Sequence, residues 1–275
     1  MRHAPAGPDN SSVLIVRADP QDRDAADPHW VRVLETLTRL EARQIVFTFL
    51  PTRASSRFYQ QAISAGHVVF GRHLIADPND PTETSRLEPW PPTVGTLGKE
   101  PAFGVVALPP ADHGVYRRQY AWHTVQGHRY PALENQAAQQ LAGDRLPLPE
   151  TPYWVNFRGG GAYLPTVELS RVLRDGLIPT VVRGRSVLIG LLPPPQTPGL
   201  HTPLDPPTGP GLSLLTFQGY ALQTLLADQP IQPLSAALTL ALLAIAAIAN
   251  IILYQWGWPR FGPWLTGALL ALYTA

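Results

Sequence analysis

The sequence predicts an α/β domain with a central β-sheet flanked by helices, followed by transmembrane α-helices. Three observations carry that expectation. Short β-branched runs alternate with helical patterns in the first 71 residues, an order that favours a parallel sheet. Nearly all charge lies in residues 1–232, and residues 233–275 hold a single charged side chain, Arg260. The stretch from Leu234 to Tyr254 has no charge at all. At 1.5 Å per residue it is about 31 Å long, the thickness of a hydrocarbon core.

The division of the chain follows. Residues 1–11 read as a polar tail, 12–230 as the folded domain and 231–275 as a membrane region. A first membrane helix is expected over about 234–254, with Tyr254, Trp256 and Trp258 at its far end, where aromatic rings favour the interface. Pro259 ends it. A second apolar run starts near Phe261 and continues to Ala275, about 15 residues, short of the 20 or so that span a bilayer. The chain is therefore expected to be a piece of a longer protein. Arg260 marks the loop between the two helices as cytoplasmic, which puts residues 1–230 outside. Met1 to Ser12 contains no apolar export segment, so either a first membrane helix lies upstream or the domain is cytoplasmic; the charge pattern favours the outside placement.

Within the domain, Ser12–Ala18 reads as a buried strand. Trp30, Val33, Leu34, Leu37 and Leu40 fall at helical spacing within 29–42. Gln44–Leu50 is a second strand, 54–65 a helix and His67–Gly71 a third strand. Residues 76–102 are proline-rich and read as irregular. Phe103–Leu108 is a strand that Val115–Thr124 is expected to join as a hairpin. Residues 131–143 form a helix stopped by Gly143. A strand at Tyr153–Phe157, a short helix at Thr166–Leu173, a strand at Val187–Gly190 and a helix at Gly211–Leu226 complete the reading.

The sequence also bounds the chemistry. There is no cysteine, which excludes disulfides, thiolate metal sites and cysteine nucleophiles. A net charge of +1 offers no nucleic-acid surface. Gly159-Gly160-Gly161 follows a strand, but no Lys-Ser/Thr succeeds it, so it is not a P-loop. Asp19, Asp22, Asp24 and Asp27 lack the spacing of a calcium loop. They read as a solvated loop whose last acid caps the helix near His29. His123 and His128, five residues apart, are expected on opposite faces of one strand, and no metal site is expected. No nucleophile elbow and no catalytic carboxylate pair is recognisable, so no catalytic residue and no cofactor is assigned. In Asp112-His113-Gly114-Val115-Tyr116-Arg117-Arg118, Asp and Gly suit a tight turn. The two Arg then point to opposite faces of a strand, and Asp112 is expected to pair with one of them.

Taken in order, these segments resemble the CHASE2 family of bacterial extracytoplasmic sensor domains. The resemblance rests on the strand Val13-Leu14-Ile15-Val16-Arg17-Ala18 ending in Asp19, and on Ala42-Arg43-Gln44-Ile45-Val46-Phe47-Thr48. It continues through the turn Ala111 to Arg118, then Val155-Asn156-Phe157-Arg158-Gly159 and Arg185-Ser186-Val187-Leu188-Ile189-Gly190. Thr202-Pro203, the helix opened by Gly211 and the following apolar segment close it. Two departures stand out. Thr48 and Phe49 replace the acid usual at the end of the second strand, and Gln196 and Thr197 stand where an acid usually precedes Thr-Pro.

The resemblance implies a modular receptor anchored in a lipid bilayer. It would perceive a small-molecule or protein stimulus outside the cytoplasm and pass it to a cytoplasmic output domain that this sequence does not contain. A second copy of the chain is a candidate partner. The residues it implies for ligand binding are Asp19, Asp112, Arg117, Arg118 and Asn156. The rival reading is a membrane-anchored hydrolase or transferase with an unrecognised site.

Overall fold

A computed structural model describes residues 11–25, 27–77, 80–109, 111–143, 149–157, 164–174, 176–193, 197–203, 209, 211–227 and 236–255. The side chains of residues 27, 76–77, 80–85, 236 and 252–255 lie outside that description. The chain divides into two compact units, Met1–Ile231 and Gln232–Ala275.

The first unit is built on a seven-stranded sheet. Its parallel strands run in the order β12 (Thr166–Glu168), β1 (Val13–Ala18), β13 (Ser186–Leu191), β2 (Gln44–Phe47), β3 (Val68–Asp77) and β5 (Phe103–Val106). β4 (Asp80–Leu87) pairs antiparallel with the far half of β3. The first two strands are not neighbours, because β13 lies between them with Val16 opposite Ile189 and Leu188 opposite Val46. β1 and β13 read as continuous apolar runs because both of their faces are covered.

Alternation along the strands splits the core in two. Leu14, Val16, Ile45, Phe47, Phe70, Val187 and Ile189 face one layer. That layer holds α1 (Asp27–Arg39), α2 (Ser56–Ala65), α4 (Leu169–Leu173) and α5 (Pro179–Val182). α1 buries Trp30, Val33, Leu34 and Leu37, the spacing of one helical face. Phe47 stacks on Phe70 at 5.2 Å and meets Trp30 edge-on at 5.6 Å. α2 is capped by Ser55, whose hydroxyl accepts the Arg57 N–H at 3.0 Å.

Val13, Ile15, Val46, Val69 and Leu188 face the other layer, made of α3 (Leu133–Ala142) and α6 (Leu214–Leu226). Two glycines set how closely these helices approach. A Cβ on Gly104 would lie 2.5 Å from the Leu133 Cα, so α3 starts against the backbone of β5. A Cβ on Gly190 would lie 2.4 Å from Leu215 Cδ1, so α6 starts against the C-terminal end of β13.

Several expectations are corrected. Phe103–Val106 does not form a hairpin with 115–124; it pairs parallel with β3. The 115–124 stretch instead supplies three pieces, β7 (Val115–Tyr116), β8 (Arg118–Gln119) and the start of β9 (Trp122–Val125). β7 pairs with β6 (Ala111–Asp112), β8 with β11 (Tyr153–Trp154), and β9 with β10 (His128–Pro131). His123 and His128 therefore sit on two strands of one hairpin rather than on a single strand. Residues 80–87, expected to be irregular, form β4. Thr166–Glu168, expected to be helical, is the edge strand β12, and α4 begins only at Leu169. Asp27 is the first residue of α1 rather than its cap. The strand expected over Tyr153–Phe157 is limited to Tyr153–Trp154. Gly159–Gly161, the second apolar run and the polar tail before residue 11 lie outside the described residues.

In the second unit a helix, α7 (Ala236–Gln255), stands where the apolar run places one. Leu238, Leu240, Leu242, Leu243, Ile245, Ile248 and Ile251 are all exposed on it. Its side chains are described from 237 to 251. Among the described residues no helix is long and apolar enough to cross a membrane.

Candidate functional site

Parallel strands leave an open crevice beyond their C-terminal ends, where connections diverge to opposite faces. A cavity of about 420 Å³ lies there in this domain. Its walls come from the residues that follow the strands: Thr48 and Phe49 after β2, Leu108 after β5, Pro193 after β13, and His73 within β3. The segment Thr197–Leu200 and the start of α6 complete it. α6 is capped by Ser213, whose hydroxyl accepts the Thr216 N–H at 3.1 Å.

Most of the lining is apolar: Phe49, Val106, Leu108, Leu191, Leu200, Leu214 and Leu215. The polar side chains there are largely occupied. His73 Nε2 donates to the Thr48 carbonyl oxygen at 3.0 Å. Burial holds the His73 imidazole below its ordinary pKa, opposed by the Glu88 carboxylate and reinforced by Arg23. Its neutral form therefore predominates at neutral pH. Arg23 and Glu88 form an ion pair with each other.

Gln218, 1% exposed, is different. It lines the cavity, and its Nε2 completes no hydrogen bond. Behind it sits Glu134 on α3, also 1% exposed. Glu134 Oε1 accepts from Gln119 Nε2 at 3.2 Å, while Gln119 Oε1 accepts the Tyr120 N–H at 2.9 Å. The second contact orients the Gln119 amide, so its NH₂ must face the carboxyl. Glu134 Oε2 and the Tyr153 hydroxyl have no partner. Burial raises the Glu134 carboxyl to about 7; Gln119 and Gln218 partly oppose this. Gln218 thus stands near enough to favour the ionised carboxylate without closing a hydrogen bond to it. Burial, reinforced by Glu134, lifts the Tyr153 phenol well above its ordinary range.

The residues expected to bind a ligand fall elsewhere. Asp112 and Arg118 form an ion pair at 2.6 Å across the turn, as the sequence suggests. That turn holds His113 at φ 53° and Gly114 at φ 80°, two left-handed residues in succession, as in a tight hairpin. The Arg117 carbonyl accepts the Val155 N–H at 2.9 Å, and the Asn156 N–H donates to Thr224 Oγ1 at 2.9 Å. Asp112, Arg117, Arg118 and Asn156 thus lie along one strip where β7, β8 and β11 lead to α6. Arg117 and Arg118 do not divide into a buried and an exposed side chain: both are half-buried. Asp19 is exposed at the end of β1, where its N–H donates to the Asp22 carboxylate at 2.8 Å. None of the five lines the cavity. Among the described residues no group of His, Asp and Glu has the arrangement to hold a metal ion.

The Asp112–Arg118 pair is about one-third exposed on both sides, and solvent screens it. Arg118→Ala is expected to cost less than about 1 kcal/mol. Urea unfolding measures this, and a loss above about 2 kcal/mol would show that the pair holds the turn to the core.

Sequence reasoning missed the cavity and the Glu134–Gln218 pair. The alternation of strands and helices in the first 71 residues implies parallel strands, which leave a crevice at their C-terminal ends. Nothing in the pattern of 131–143 marked Glu134 as buried, because its burial follows from the Gly104 contact.

An α/β/α domain with a mainly apolar crevice at its strand ends has the make-up of a ligand-binding module. The family model for the CHASE2 domain matches residues 1–254. The chain belongs to that family, whose members are extracytoplasmic sensor domains. Neither the curated proteins nor the solved structures contain a match to this chain.

Proposed function

We propose that this chain is the extracytoplasmic, membrane-anchored sensor portion of a receptor. In this reading a ligand enters the crevice at the strand ends and alters the position of α6. The change passes through the short segment after Leu226 to the apolar helix α7, and from there to a cytoplasmic output domain. A ligand biases the output only to the extent that it binds one arrangement better than the other.

The observation that carries the anchoring is the surface of α7. Its exposed Leu and Ile residues, from Leu238 to Ile251, fall on every side of the helix. A helix apolar all round is at home among other helices or in lipid, not in water. The uncharged sequence runs on beyond those residues in both directions, from Leu234 to Tyr254. Pro230 and Pro233 restrict the backbone of the junction, and a stiff joint transmits a tilt that a glycine-rich one would absorb.

The cysteine-free sequence makes the placement directly testable. Gln60→Cys puts a thiol on the exposed face of α2. In intact cells a membrane-impermeant maleimide is expected to label it. Gly257→Cys, at the end of the membrane helix expected to face the cytoplasm, should label only after lysis. Protection of position 60 until lysis would overturn the extracytoplasmic reading.

A further inference from the structure

Among the described residues of the cavity wall, Gln218 is a buried polar side chain with an unsatisfied donor, set between the cavity and the Glu134 carboxyl. Its Nε2 completes no bond although the residue is only 1% exposed. A buried amide NH₂ without an acceptor carries a desolvation cost of about 1–3 kcal/mol. An acceptor supplied from the cavity removes that cost. Two other polar groups there are engaged: His73 Nε2 with the Thr48 carbonyl, and the Ser213 hydroxyl with the Thr216 N–H. Leu108, Leu191, Leu214 and Phe49 offer apolar surface around the opening. Among the described residues, no Asp, Glu, Lys or Arg lines the cavity. A charged ligand would leave water there without a counter-charge from any of these residues, which is costly.

We infer that the crevice takes an uncharged, largely apolar small molecule bearing one hydrogen-bond acceptor, and that Gln218 Nε2 donates to that acceptor. This rests on the crevice being the sensory site, and it adds the chemical class of the ligand and the residue that reads it. The volume of about 420 Å³ suits a molecule of one or two rings or a medium-length chain. Gln218 also relates the ligand to Glu134, because the same amide stands between the cavity and the carboxyl. A ligand acceptor that draws the amide toward the cavity withdraws it from Glu134.

Three probes of one shape test the inference: 2-acetylnaphthalene, with a carbonyl acceptor; 2-ethylnaphthalene, without one; and 2-naphthoate, with a charge. The full chain in lipid nanodiscs is unfolded by calorimetry with each probe, since a ligand of the folded state raises its unfolding midpoint. The ketone is expected to raise the midpoint most, the ethyl compound less and the carboxylate not at all. In Gln218→Met, which keeps the length and removes the donor, ketone affinity is expected to fall about ten-fold, to that of the ethyl compound. Leu214→Trp, which fills the opening and leaves Gln218 in place, is expected to abolish all three shifts. It keeps the inference testable if Gln218→Met does not fold.

Undiminished ketone affinity in Gln218→Met overturns the assignment of Gln218 while leaving the crevice as the site. Equal binding of the carboxylate overturns the ligand class. A ketone shift that survives Leu214→Trp places the probe elsewhere and overturns the inference. Absence of any shift in the native chain removes the crevice as a binding site, and the proposed sensing route with it.

Discussion

Gly104→Ala is expected to destabilise the domain by about 3 kcal/mol, near the upper end of what overpacking costs. The added Cβ would meet main chain rather than a yielding side chain: the Leu133 Cα at 2.5 Å, the Leu133 nitrogen at 2.8 Å and the Ala132 carbonyl oxygen at 2.9 Å. Relief requires α3 to move off β5. That movement would open the contact that buries Leu133, Ala137 and Ala138. It would also shift Glu134 relative to Gln119. Urea unfolding followed by far-UV circular dichroism gives the cost directly. Gly66→Ala, at a glycine with φ 70° and no atom within 4 Å of the new Cβ, is the comparison. It isolates backbone strain, about 1 kcal/mol, from collision. Equal effects at the two positions would mean that the α3–β5 approach is not fixed by the missing Cβ.

The second large effect concerns pH. Glu134 has its carboxyl raised from 4.5 to about 7 in the folded state, chiefly by burial. The folded state therefore holds a proton that the unfolded chain has already released between those values. Stability falls as pH rises through that window and levels off above it. The accumulated loss is about 3 kcal/mol by pH 8, at 1.36 kcal/mol per pH unit. Glu134→Gln keeps the shape and an oxygen for Gln119 Nε2, and it cannot ionise. The variant is expected to match the native protein near pH 4.5 and to exceed it by up to about 3 kcal/mol at pH 8. A stability difference between the two that stays flat from pH 4.5 to 8 would show that Glu134 reaches water when ionised.

Local pattern was enough for most of the fold. α1 and α2 show their spacing because each presents a clean apolar face to one layer, and β1 and β2 read as apolar runs because both of their faces are covered. The elements that were misread have their conformation imposed from outside. β4 carries Asp80, Pro81, Glu83 and Arg86 and reads as a loop; it is a strand because the long β3 runs past β2 and offers it an edge. Thr166–Glu168 precedes a helical turn and was absorbed into it, although the free edge of β1 draws it into the sheet. At the site, the turn with Asp112 and Arg118 was legible because it is local. The crevice was not, since Thr48, His73, Leu191 and Gln218 come together only through the strand order. Gln218 itself falls in a helix whose buried residues cover nearly every face, so helical period could not tell its surroundings from those of a surface glutamine.

The place of β13 between β1 and β2 bears on how the chain matures during synthesis. Val13–Ala18 and Gln44–Phe47 are made early, yet the strand that joins them is Ser186–Leu191. At about 5–20 residues per second, the two early strands wait roughly 7–30 s for their partner to leave the ribosome. Through that interval their Val- and Ile-rich edges stay unpaired, the condition under which strands pair with the wrong chain. α6 follows β13 directly and α7 follows α6. The sheet therefore closes only as the apolar segment is itself being made. Assembly of the domain and delivery of that segment to its final surroundings become nearly simultaneous events, and a fault in either would strand the other.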